Sequence, residues 1–291
     1  MNILILGGNG YLGSKVTRKL VEKGHYIVCT KRASSDLSRL GDMKDKMKWI
    51  PASADAVETA AKYVLFDYVI NTACNYGRGD ASDEEVIEAN FDFPLKILNK
   101  VMENGTRNFI SVGTGLPDEL NIYSFTKKMF SEYGRFCAEN HDINFTSLLL
   151  EMFYGPDEPK SRFLPSIICS MLEGKVVNTT LGTQHRDIIA IDDIVDAIIM
   201  VMEANLKGYN EIPVGTGIAP TIAEIVDYIW HETGEKSVLN KGAVPMRKNE
   251  ADCVADTSFI EKLGEWHPVD WKQGISQMIK DMDGKEHLHE E

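Results

Sequence analysis

No apolar run in this 291-residue chain approaches the roughly 20 residues of a membrane span, so no membrane association is expected. Neither Cys-x-x-Cys nor His-Glu-x-x-His occurs, and no metal site is expected. The five cysteines (Cys29, Cys74, Cys137, Cys169, Cys253) are odd in number and scattered, a pattern that points to reduced thiols in a cytoplasmic protein. A strand opens at once, so no signal peptide is expected ahead of the fold. Positive charge is in deficit: 31 Lys and Arg stand against 44 Asp and Glu, giving a net charge of −13. A general nucleic-acid binder is thereby disfavoured, although local cations in one cleft can still hold an anionic ligand. Internal repeats and low-complexity linkers are also missing.

What is present is the ordinary balance of a globular enzyme, 43% hydrophobic and 26% charged residues. Strand and helix patterns alternate from the start. Strands are expected at 3–6, 26–30, 48–50, 67–71, 108–112 and 145–150, with helices at 12–23, 54–63, 83–103 and 124–139 between them. That alternation predicts an α/β fold, a Rossmann-type doubly wound parallel sheet covered on both faces. Beyond residue 155 the pattern loosens. A dinucleotide-binding domain is read at 1–155 and a smaller, mainly C-terminal substrate-binding lobe at 156–283, some of whose elements return to the main domain. A flexible tail is read at 284–291.

The first strand runs into Gly7-Gly8-Asn9-Gly10-Tyr11-Leu12-Gly13. Glycines three apart after a strand and before a helix fit a dinucleotide turn. Gly7 would make the tight turn, Gly10 the close approach to a pyrophosphate, and Gly13 the helix–strand packing. Asn9, Tyr11 and Leu12 share that turn and are read as cofactor contacts. An acid at the end of strand two would accept from the 2′-hydroxyl of NAD, but here Lys31 and Arg32 stand. NADP(H) is therefore expected, with NAD(H) as the alternative.

Tyr123 and Lys127 are four apart, so on a helix they share a face. An ammonium near a phenol favours the phenolate and suits proton transfer to a carbonyl oxygen. Thr114, just after the fifth strand, lies at the carboxyl edge where doubly wound sheets bind ligands. Its hydroxyl is the candidate contact for the same oxygen, with Ser111 as the backup.

These residues together resemble the extended short-chain dehydrogenase/reductase family, the nucleotide-sugar epimerases, dehydratases and reductases. The shared markers are the glycine turn, Asn71-Thr72-Ala73-Cys74, Asn90, Thr114, Tyr123-x-x-x-Lys127, Tyr154-Gly155-Pro156, the run from Arg186 to Asp193, and Val214-Gly215-Thr216-Gly217. The resemblance implies that Tyr123 is the acid/base, with Lys127 its partner and ribose contact and Thr114 a carbonyl contact. It places Thr72 and Ala73 beside the cofactor and Asn90 in support of that site. Arg186 and Arg247 would approach the diphosphate of a nucleotide sugar, and a homodimer through helices 83–103 and 124–139 is implied.

Within the family the chain looks most like the CDP-abequose synthase-like 4-keto-6-deoxysugar reductases, on segments that include Asn75-Tyr76-Gly77-Arg78 and Arg247-Lys248-Asn249-Glu250. Tyr76 and Arg78 are accordingly read as substrate contacts. Two departures stand out: the segment from Thr114 to Tyr123 is short for the family, and Leu148-Leu149-Leu150 replaces a run that often carries arginine. The expected activity is NAD(P)H-dependent reduction of a nucleotide-linked 4-keto-6-deoxyhexose. The alternatives are a 4-epimerase or dehydratase that keeps NAD bound, and a dinucleotide-sensing regulator.

Overall fold

The computed structural model describes residues 1–287, and the end of the expected tail, 288–291, lies outside the described residues. In chain order the elements begin β1 Asn2–Leu6, α1 Tyr11–Glu22, β2 Tyr26–Lys31, β3 Lys48–Pro51, α2 Ala54–Ala61 and β4 Tyr68–Asn71. Next come α3 Asp83–Ile87, α4 Phe93–Glu103, β5 Asn108–Val112, α5 Ile122–Asn140 and β6 Asn144–Leu150. Then follow β7 Met152–Tyr154, α6 Phe163–Leu172, β8 Val177–Thr179, β9 Ile188–Ala190, α7 Ile191–Ala204 and β10 Tyr209–Val214. The chain closes with α8 Ile222–Glu232, β11 Leu239–Lys241 and α9 Trp271–His287. The last helix thus begins the stretch expected as a tail from residue 284 and carries it to His287.

Two compact units divide the chain. The first comprises Met1–Leu150, Val195–Pro213 and Phe259–Gly264; the second comprises Glu151–Ile194, Val214–Ser258 and Glu265–Glu291. The first unit therefore stops short of the expected boundary at 155 and takes back two later segments. Its seven-stranded sheet runs β10-β6-β5-β4-β1-β2-β3, and the pairs β1–β2, β1–β4, β2–β3, β4–β5 and β5–β6 are parallel. The strand order reverses between β1 and β4, and a doubly wound sheet binds ligands outside the carboxyl ends at such a point. Strand β1 is buried along Ile3–Leu6, as a strand covered on both faces requires. Helix α1 turns Leu12, Val16 and Leu20 inward at four-residue spacing. Phe109 stacks on Phe145 at 5.4 Å, with Phe130 edge-on to both. Gly134 of α5 lies against Phe145, where a Cβ would collide with the ring.

The helix expected at 83–103 is interrupted. Between α3 and α4, Glu88–Asp92 form a π turn, and Pro94 follows at the start of α4. Proline has no N–H to donate and crowds the carbonyl four residues back, here that of Asn90, so the regular ladder cannot pass. Near the C-terminus a single 3-10 turn, Ile260–Lys262, precedes α9. In the second unit β7 pairs with β9 and β8 with β11, both parallel. Its core gathers Tyr154, Ile168, Ile188, Ile225 and Ile275. Among the described residues no helix is long and apolar enough to cross a membrane, and no cluster of His, Cys, Asp and Glu is placed to hold a metal.

Candidate active site

The glycine turn is shaped by contact as well as by flexibility. Gly7 adopts φ +76°, a conformation that side chains disfavour, and a Cβ there would sit 2.9 Å from Ala73 backbone atoms. Gly10 donates from its N–H to the Gly7 carbonyl at 2.9 Å. A Cβ on Gly13 would collide with that carbonyl and with Thr72 Oγ1. Hydroxyls brace the turn: Thr72 donates to the Leu6 carbonyl at 2.8 Å, and Thr30 Oγ1 accepts from Gly7 N–H at 3.3 Å. Asn9 donates to the Asp36 carbonyl at 3.2 Å.

Helix α1 is capped by Gly10 with no side-chain cap and no acid in its first turn. Its positive end is thus left for an external anion, which fits a dinucleotide pyrophosphate. A Cβ on Gly10 would press on the Gly7 carbonyl at 3.3 Å. Lys31 closes β2 half-buried, and Arg32 follows it, exposed.

Tyr123 stands in the first turn of α5. A reciprocal cap fixes that turn: Ser124 N–H donates to Asn121 Oδ1 at 2.9 Å, and Asn121 N–H donates to Ser124 Oγ at 3.3 Å. Lys127 is only 4% exposed. Its ammonium donates to the Val112 carbonyl at 2.9 Å and the Ala73 carbonyl at 3.2 Å. One side chain therefore ties α5 to the ends of both β4 and β5. Burial pushes the Lys127 pKa down, opposed by the nearby Cys74.

Thr114 lies two residues past β5, and the flanking amides of Gly113 and Gly115 continue the bonding to β6 through the Leu148 and Leu150 carbonyls at 2.8 and 2.9 Å. Thr114 and Lys127 share the wall of a cavity of about 250 Å³, together with Gly115, Leu116, Ser124 and Ser131. Ser111 is buried inside β5 and accepts from Asn71 Nδ2 at 3.3 Å, which makes it part of the scaffold.

Tyr76 packs beside Tyr123, with Arg78 over its ring. The Tyr76 ring lies 5.1 Å from that of Tyr123, and the Arg78 guanidinium lies over Tyr76 at 5.4 Å. Their loop is held by Asn90, whose side chain accepts from Asn75 N–H and donates to the Asn75 carbonyl, both at 2.8 Å. Asn90 also donates to Thr126 Oγ1 on α5 at 3.2 Å. The π turn that carries Asn90 thus anchors the loop after β4 to the helix of Tyr123. The sequence gives Asn75 and Thr126 no distinct role, because their bonds to Asn90 form only once this turn and α5 pack together.

Arg186 and Arg247 belong to the second unit. Arg247 is exposed. Arg186 is 6% exposed and already engaged: it donates to the His185 carbonyl at 2.9 Å, to the Ala251 carbonyl, and to the Glu250 carboxylate. Asp187, fully buried, accepts from the N–H groups of Thr216 and Gly217 at 2.9 and 2.8 Å and from Thr216 Oγ1 at 2.7 Å. A Cβ on Gly215 would collide with that carboxylate.

Glu151 completes the cluster, a carboxyl directly after the leucines that end β6. Burial, then Asp187, push its pKa up to about 7, with Arg186 opposing. The unfolded carboxyl ionises near its ordinary 4.5. Stability from this group is therefore whole below pH 4.5, declines as pH rises between the two values, and is lost above 7. The loss is about 3 kcal/mol at most. Glu151→Gln is expected to raise Tm at pH 8 and to change it little at pH 4.5. An equal shift at both pH values in thermal melts would contradict this.

The model of the NAD dependent epimerase/dehydratase family matches residues 3–215. CDP-abequose synthase of Salmonella typhimurium is 28% identical over 96% of this chain and 97% of its own length. Among solved structures, a UDP-glucose 4-epimerase of Thermotoga maritima with UDP-glucose superimposes with a TM-score of 0.86 at 22% identity, covering 99% of this chain and all of that one. The UDP-glucose 4-epimerase of Thermus thermophilus in complex with NAD superimposes with a TM-score of 0.80 at 18% identity, covering 96% and 98% of the two chains.

Proposed function

Because the chain belongs to the NAD-dependent epimerase/dehydratase family, we propose that it reduces the carbonyl of a nucleotide-linked 4-keto-6-deoxyhexose, with NADPH as the preferred reductant. The observation that carries this reading is the position of Lys127. Buried and bonded to the carbonyls of Ala73 and Val112, it fixes the face of α5 on which Tyr123 sits, at the carboxyl edge of the sheet. The similarity to CDP-abequose synthase supports a CDP-linked sugar.

In this reading the nicotinamide, when bound, supplies the hydride that adds to the carbonyl carbon. The Tyr123 hydroxyl donates its proton to the carbonyl oxygen, which becomes the new alcohol. Thr114 Oγ1 donates a hydrogen bond to the same oxygen. The Lys127 ammonium stabilises the phenolate left on Tyr123. Burial lowers the cost of taking a proton from Lys127 Nζ, which suits it to return one to that phenolate.

A second reading, a 4-epimerase with retained NAD, draws on the structural neighbours, and Lys31 and Arg32 at the end of β2 weigh against it. CDP-, dTDP-, GDP- and UDP-linked 4-keto-6-deoxyhexoses offered with NADPH or NADH separate the two. Stoichiometric loss of nicotinamide absorbance with NADPH and one such sugar is the expected result. Interconversion of nucleotide sugars by the purified protein without added cofactor would replace the reductase by the epimerase.

A further inference from the structure

The chain carries a third cation on the β2 side of the glycine turn. The segment from Asp36 to Met43, whose 3-10 turns over Ser38–Met43 are broken by a kink at Gly41 (φ +48°), is tied at both ends. Asn9, inside the glycine turn, donates to the Asp36 carbonyl at 3.2 Å. Arg18 of α1 donates to the Leu40 carbonyl at 3.4 Å and to Met43 Sδ at 2.8 Å. Between these ties Arg39 lays its guanidinium over the ring of Tyr11, the first residue of α1, at 5.5 Å from the centroid. A guanidinium on an aromatic face is pre-oriented and keeps its N–H fork directed outward in the plane of the group.

Charge at this place runs against that of the whole chain. Lys31, Arg32 and Arg39 face a single carboxylate in the stretch 31–39, in a protein of net charge −13. That carboxylate, Asp36, is engaged: it accepts from Ser38 N–H at 2.8 Å and from Ser38 Oγ at 2.6 Å. These bonds first, and Arg39 less strongly, hold its pKa below the ordinary carboxylate range. A carboxylate bound in this way is poorly placed to accept from a ribose hydroxyl. The pyrophosphate of a dinucleotide is met by the N–H groups of α1, whereas side chains following strand two meet what the adenosine ribose carries.

Resting on the NADPH reading above, we propose that Arg39 is a specificity residue that binds the 2′-phosphate of NADP(H), held in place by Tyr11 and acting with Lys31 and Arg32. The Tyr11–Arg39 stack is then part of the cofactor site, although the two residues lie on different elements.

Calorimetric titration of the full chain with adenosine 2′,5′-bisphosphate and with 5′-AMP tests this without turnover, since the two ligands differ only in the 2′-phosphate. The wild type is expected to bind the bisphosphate more tightly than AMP. Arg39→Met is expected to weaken the bisphosphate roughly tenfold and to leave AMP within about twofold, because a hydrogen-bonded charge contact is lost. Arg39→Lys is expected to restore part of the difference. Equal binding of both ligands by the wild type would overturn the NADPH reading and this inference with it. A wild-type preference that Arg39→Met leaves intact would overturn the role of Arg39 alone, as would a proportional loss of AMP binding in both variants.

Discussion

Tyr123→Phe is expected to lower kcat by roughly a thousandfold while leaving the dissociation constant of NADPH within about threefold of the wild type. The substitution removes one oxygen and keeps the ring, so the 5.1 Å contact with Tyr76 and the first turn of α5 persist. What disappears is the proton that, in the proposed reaction, goes to the carbonyl oxygen. Steady-state assays with the sugar identified in the substrate screen, together with cofactor titration followed by fluorescence, measure the two quantities separately. Wild-type turnover by this variant would remove Tyr123 from the mechanism, whatever else the protein does.

Lys127→Met is expected to cost a comparable factor, roughly 10²–10⁴ in kcat, with an additional structural signature. Methionine fills similar space but leaves the carbonyls of Ala73 and Val112 without the donor they now have. Each such loss costs about 1–3 kcal/mol, partly offset because a buried ammonium no longer has to be kept from water. The loops after β4 and β5 would loosen together, and cofactor affinity should fall, in contrast to Tyr123→Phe. Since the two residues act as a unit, the double variant should lose little more than the more damaged single variant. Multiplicative losses, or a Lys127→Met enzyme with normal kcat, would show that the pair does not function as argued.

Local patterns make much of this legible in the sequence alone. Strand–helix alternation depends on hydrophobic spacing within each segment, and the glycine turn, Thr114, Tyr123 and Lys127 all fall within about fifteen residues of a strand end that such spacing marks. The π turn was less visible. Pro94 was the available signal, but its consequence, a side chain at Asn90 that grips both Asn75 and Thr126, depends on packing between distant segments. The same holds for Arg186. Its sequence context suggested an approach to phosphate, whereas the fold pairs it with Glu250, 64 residues away. Glu151 was hidden for another reason: a glutamate after three leucines looks like the polar end of a strand, and only the neighbouring Asp187 and burial turn it into a titrating group. Tyr76 and Arg78 were singled out by resemblance, and the structure adds that they form one stack ending on Tyr123.

The discontinuous first unit has a bearing on how the molecule is made. Strand β6 is complete once residue 150 is synthesised, but its outer neighbour β10 begins only at Tyr209. The buried hydroxyl of Tyr68 likewise waits for the carbonyl of Met202, 134 residues later. During synthesis from the N-terminus, β6 therefore stands for an interval as an edge of the sheet, while the chain from residue 151 to β10 is still to be threaded out. An unpaired strand edge is a template for unwanted association. The first unit is thus begun early and waits for its outer strand, and its vulnerable period is set by the length of chain inserted between β6 and β10.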